Sequence, residues 1–198
     1  TIEGGLEEFS STGSNNITIT KEPLAAGIVA LAYGSSGTRI HDCTFSGSVN
    51  GYDAAGIVGQ NNGGYVYTSV NMGAVSAVRY AGGIVAIDFY RGDKGVTQCT
   101  NEGMITSDFA AGGITGIHGA STVSDWSPSQ INNCASTGPV VGAKYSGAIA
   151  GYTVRSVGSD YSTCYYWLSE GSKATSSLGG HNSESFTAPQ EAVKEDTL

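Results

Sequence analysis

Three features of this 198-residue chain predict an all-β solenoid, a right-handed parallel β-helix of about five turns of roughly 29 residues. The first is a recurring segment. Ala25-Ala26-Gly27-Ile28-Val29-Ala30 returns as Ala54-Ala55-Gly56-Ile57-Val58-Gly59, as Ala81-Gly82-Gly83-Ile84-Val85-Ala86, as Ala111-Gly112-Gly113-Ile114-Thr115-Gly116 and, more loosely, as Ser146-Gly147-Ala148-Ile149-Ala150-Gly151. The third positions of these copies are separated by 29, 27, 30 and 35 residues. The second feature is a downstream anchor of apolar, polar, polar and small residues: Ile40-His41-Asp42-Cys43, Val66-Tyr67-Thr68-Ser69, Val96-Thr97-Gln98-Cys99, Ile131-Asn132-Asn133-Cys134 and Tyr161-Ser162-Thr163-Cys164. The third is composition. With 30 Gly, 4 Pro and only short β-branched segments between the anchors, no stretch carries a helical period.

Taken in order, residues 1–24 read as an N-terminal cap and partial first turn. Ile19 precedes Gly27 by the same offset as Val75 precedes Gly83, so Ile17-Thr18-Ile19 is expected as a strand of that turn. Residues 25–168 form the repeat domain, in which Ile28, Ile57, Ile84, Ile114 and Ile149 stack into a buried ladder at the strand spacing of about 4.8 Å. No single turn can bury its apolar face alone, so stability comes from neighbouring turns. The recurrent Gly either supplies positive φ at corners or lets backbones approach closely. The fifth copy closes on Cys164-Tyr165-Tyr166-Trp167-Leu168 in place of the Gly seen at 47, 73, 103 and 138. Residues 169–198 are polar and aperiodic, and read as a loosely ordered tail or a linker to a missing domain.

The repeated Gly-Ile-Val-Gly/Ala, with its downstream Asn-Cys and Thr-Gly turn, is clearest from Gly113 to Gly138. It resembles the GLUG-motif repeats of bacterial cell-surface, adhesin-like proteins, which also occur upstream of the catalytic part of IgA1-specific metallopeptidases. The resemblance spans about residues 25–168 and departs from the pattern at Ser69 and Ala148. It implies an extracellular or cell-wall-attached module without catalysis, joined to further domains of a parent chain. Its role would be a rigid stalk and a surface adhesive for glycans or host proteins. A spacer or docking region of a surface peptidase is a second implication.

Charge narrows the partners. Nine Lys and Arg against seventeen Asp and Glu give a formal charge of −8, and no segment gathers the basic patch that a phosphate backbone requires. Nucleic acid is therefore not expected, and no run approaches the roughly 18 apolar residues of a membrane span. Cys43, Cys99, Cys134 and Cys164 share one repeat column without zinc spacing, so neither metal nor cofactor is expected. Packed free thiols are one reading of this column. A bridge from Cys134 to Cys99 or Cys164 is the other.

An enzyme on this scaffold would be a polysaccharide lyase or hydrolase, using carboxylates such as Asp88, Asp93 and Asp125 as acid, base or calcium ligands. The same three residues also read as solvated loop charges. Tyr52, Tyr80, Phe109 and Tyr145 precede the glycine anchors by three or four residues and are expected in a row along one edge, either bracing a corner or presenting rings to sugars. The distance between the two anchors varies most in the fourth copy, whose longer loop carries Ser124-Asp125-Trp126-Ser127-Pro128. Insertions in repeat proteins build binding faces. Trp126, with Asp125 beside it, is the leading loop candidate for contact with a partner.

Overall fold

The structure, a computed structural model, describes residues 2–3, 23–33, 38–89, 95–119, 130–154, 161, 163–181 and 192–195. Within these residues every strand pair is parallel, no helix is present, and the strands stack into four sheets of eight, five, four and six strands. Each coil of the solenoid visits the sheets in the same order. The coil that starts at Ser48–Ala55 in sheet one continues through Val58–Asn62 in sheet two, Tyr65–Tyr67 in sheet three and Val70–Asn71 in sheet four. The next begins at Ala74–Gly82. Like positions lie directly over one another, as in Val75 beside Val49 and Ile105, and Val85 beside Val58 and Thr115. A parallel β-helix of about five turns is thus the fold, as the repeat arithmetic requires.

The core is a set of columns, one residue per coil. Val49, Val75, Ile105 and Val140 line sheet one, Val66, Val96 and Ile131 line sheet three, and all are buried. Ile57, Ile84, Ile114 and Ile149 form the expected corner ladder, each without exposed surface. Ile28 does not complete it. At 46% exposure it lies in the terminal coil, which has a partner coil on one side only.

The glycines act through close approach. Among the described glycines only Gly63, Gly119 and Gly171 have positive φ, and none of these belongs to the recurring anchors. A Cβ on Gly82, Gly112 or Gly147 would overlap the carbonyl oxygen three residues ahead, where sheet one turns sharply into sheet two. The left-handed corner falls elsewhere. Asp42, Thr68, Gln98 and Asn133, the residues just before the small anchor position, have φ between 46 and 53°. These corners are backed by inter-coil side-chain bonds, with the Thr68 hydroxyl donating to Asp42 at 2.7 Å and Thr163 accepting from the Asn133 amide at 3.2 Å.

The N-terminal segment does contribute a strand, and the C-terminal one continues the stack. The slot beside Val49 is taken by Ile2, paired with it in a two-residue strand, while Ile17-Thr18-Ile19 lie outside the described residues. The stack does not stop at Leu168. Lys173 donates its amide to Val140, Leu178 and His181 bridge to Ala150 and Thr153, and Val193–Glu195 pairs with Tyr165–Trp167. This is a sixth coil. Ser177 stands where the other copies have Ile and Ala192 where they have Cys, so the coil keeps the backbone ladder while losing the apolar signature.

Candidate functional site

The long strands of sheet one are not straight. Between Ala77 and Tyr80 the register to the neighbouring strand slips by one residue, a bulge that bends the sheet. Later coils break at the same place, between Ile105–Ser107 and Ala110–Gly112 and between Val140–Gly142 and Tyr145–Gly147. Along this bend runs an open groove of about 640 Å³, within the 300–1,000 Å³ range usual for ligand sites. Its floor is partly aliphatic, from Ala77, Val78, Val141 and Ala143. One outward-facing column crosses it, with Asn50, Ser76, Thr106 and Val141 in register on successive coils and Lys173 from the sixth coil at its end. Asp108 and Tyr52 complete the wall.

The side chains of Asn50, Ser76, Asp108 and Lys173 make no hydrogen bond or ion pair within the described residues. They are thus available to a ligand. Thr106 and Ser107, by contrast, are used internally, donating their hydroxyls to the carbonyls of Val75 and Arg79 at 3.2 and 2.7 Å.

Beside the groove three of the four aromatic residues expected in a row, Tyr80, Phe109 and Tyr145, meet edge to face, while Tyr52, one position out of register with Tyr80, is linked to them only through Arg79. Ring centroids are 5.8 Å apart for Tyr80 and Phe109 and 5.3 Å for Phe109 and Tyr145, with interplanar angles of 76 and 82°. Tyr152, from sheet two, packs on Tyr145 at 4.8 Å and closes the row. Cations are interleaved: Arg79 lies over Tyr52 and Tyr80 at 5.0 and 4.8 Å, and Lys144 lies 5.2 Å from both Phe109 and Tyr145. Of the four, only Tyr52 lines the groove. Tyr80, Phe109 and Tyr145 are half-buried against one another and brace the bend.

Arg79 is held from below by Asp53. Its Nε and one terminal nitrogen reach the two carboxylate oxygens at 3.0 and 2.6 Å, and the Tyr80 amide donates to the same carboxylate at 3.1 Å. Two effects compete at this buried group: burial pushes the Asp53 carboxyl up to about 7, while the Tyr80 amide favours the carboxylate. The two-pronged guanidinium contact is the geometry of an ionised pair.

A buried polar column runs down sheet two through Asn61, Asp88, His118 and Thr153. The Asn61 amide donates to Asp88 at 3.1 Å, Nε2 of His118 stands 3.8 Å from the other Asp88 oxygen, and its Nδ1 meets the Tyr161 hydroxyl at 3.0 Å. Asp88 was expected in a loop. It is instead the last residue of Val85–Asp88, fully buried between Asn61 and His118, which lie in register with it on the adjoining coils. Asp93, Asp125 and Trp126 lie outside the described residues. His41 is exposed and stacks on Tyr67 at 4.7 Å, on the outer face of sheet three.

The cysteine column is composed of free thiols. Cys43 is half-buried, and Cys99, Cys134 and Cys164 are buried. Cys43, Cys99 and Cys134 each point their sulfur at the carbonyl two residues earlier, at 3.3 Å, and Ser69 donates to the equivalent carbonyl at 2.9 Å, which is why Ser substitutes there without disturbing the coil. Burial pushes the Cys134 thiol up, and its two sulfur neighbours add to the rise. Among the described residues no three His, Cys, Asp or Glu side chains gather as a metal site, and no helix is long and apolar enough to cross a membrane.

Sequence reasoning missed Asn50, Ser76, Asp108 and Lys173. The first two carry a readable signal, since they alternate with the core residues Val49 and Val75 and so face outward. Lys173 carries none, because the coil that positions it has no recognisable anchor. Compared with known protein families, curated proteins and solved structures, the chain gives no significant match in any of the three.

Proposed function

We propose that this chain is a non-catalytic repeat module of an exported bacterial surface protein, a rigid stalk that binds glycans along the groove of sheet one. The groove carries the reading: it holds hydrogen-bonding side chains without internal partners, aliphatic floor and a tyrosine ring fixed in place by Arg79. Sugars present the same mixture, hydroxyls around the edge and C–H groups on the ring faces. Stacked parallel coils with every strand paired to its neighbours supply stiffness along the axis. The likeness of the repeats to GLUG-motif surface proteins supports placement outside the cell.

A glycan array spanning plant, microbial and mucin structures tests the reading. Binding is expected for at least one class, weakened about tenfold or more by Tyr52→Ala and by Asn50→Ala. A chain that binds nothing on the array, or whose variants bind as the parent does, contradicts it. Release of sugar fragments from a bound glycan would overturn the non-catalytic part.

A further inference from the structure

We infer that the groove takes a linear, neutral glycan lying parallel to the solenoid axis, with about one sugar residue per coil. This rests on the glycan-binding reading above and adds orientation, minimum length and charge. The groove crosses successive coils, so its outward column repeats at the strand spacing of about 4.8 Å. From Asn50 to Lys173 that column covers four coil steps, about 19 Å. A pyranose residue in an extended chain advances by nearly one such step, so successive rings meet equivalent positions. An extended peptide does not fit this repeat, because its same-face side chains recur only every 6.8 Å or so.

Charge sets the class. One carboxylate, Asp108, and one ammonium, Lys173, line the groove, so it carries no excess of either sign, while the whole chain stands at −8. The neighbouring guanidinium is already committed, since Arg79 is forked on Asp53. A polyanionic glycan would find one cation and a repelling protein. A neutral chain meets instead Asn50 and Ser76 as donors and acceptors to ring hydroxyls, Tyr52 as a ring-face contact and Val78, Val141 and Ala143 beneath.

Calorimetry with the intact chain tests this, using linear oligomers of glucose, N-acetylglucosamine, mannose and xylose of two to six residues. In at least one series affinity is expected to climb tenfold or more between two and five residues and then level off. Ser76→Trp, an exposed substitution that fills the middle of the groove, should abolish binding, with the melting temperature unchanged as the check on folding. Equal affinity for a disaccharide and a hexamer would overturn the axial inference while leaving glycan binding intact. Tighter binding of a polyanion such as polygalacturonate than of any neutral series would overturn the charge assignment. No binding in any series, together with a silent array, would overturn both readings.

Discussion

Arg79 grips the carboxylate of Asp53, 26 residues earlier in the preceding coil, through two of its guanidinium nitrogens. The contact does more than pair charges. It places the guanidinium between the rings of Tyr52 and Tyr80 and so fixes the edge of the groove from inside the fold. Asp53 has no exposed surface, whereas the Arg79 side chain keeps 25% of its own.

Removing only the cation leaves a carboxylate buried beside apolar neighbours. Arg79→Met is therefore expected to cost about 3 kcal/mol, the low end for a broken buried pair because water still reaches the arginine side. Adding Asp53→Asn removes the stranded charge and keeps an acceptor for the Tyr80 amide. Urea denaturation should rank the double variant above Arg79→Met alone; the reverse order would refute the ion-pair description.

Thr115 is the one described residue whose buried side-chain oxygen lacks a hydrogen-bond partner. Its column is otherwise apolar, with Val85 on one side and Ala150 on the other. Thr115→Val removes the stranded hydroxyl at nearly constant volume. The variant should be more stable by about 1 kcal/mol, seen as a higher melting temperature. A lower one would mean that the hydroxyl has a partner after all.

Gly112→Ala tests the corner. Its new methyl would strike the backbone carbonyl of Thr115, whose strand is paired to a neighbouring coil on both sides. A loss of about 3 kcal/mol is expected, the upper part of the overpacking range. Gly171→Ala meets no neighbour and pays only for its φ of 82°, so the loss should be about 1 kcal/mol. Comparable losses in chemical denaturation would contradict the close-approach account.

The thiols should divide sharply. Cys43 is half-buried while the other three are buried, and burial holds Cys134 protonated well into the alkaline range. Iodoacetamide at pH 8 is expected to add one label to the native chain and four in urea. Three or four labels on the native chain would place the column at the surface.

The repeats made the coil register readable, because the Gly-Ile-Val copies carry the turn into sheet two and one core residue, Ile57, Ile84, Ile114 or Ile149. What sequence patterns do not reveal is a position kept by backbone pairing alone. Ser176-Ser177-Leu178-Gly179 occupies an anchor site with a serine in the isoleucine column, so the sixth coil and its groove residue Lys173 are invisible to a hydrophobic pattern. The buried polar residues mislead for a related reason. Asp88, Asn61 and His118 look like loop chemistry by residue type, yet stacking of equivalent positions lets each satisfy the next from inside the fold. For Tyr80, Phe109 and Tyr145 the row was legible from spacing, but the place of Tyr52 outside it was not. Whether a ring faces the groove or its neighbour is decided by the bulge at Ala77 and Tyr80, which has no residue signature.

Amide chemical-shift mapping tests the central claim most directly. With a glycan that binds on the array titrated into the labelled chain, the largest shifts are expected at Asn50, Ser76, Ala77, Thr106, Asp108 and Lys173, following the groove across the coils. Shifts confined to His41, Tyr65 and Tyr67 on sheet three, or none along the groove at saturation, would contradict it.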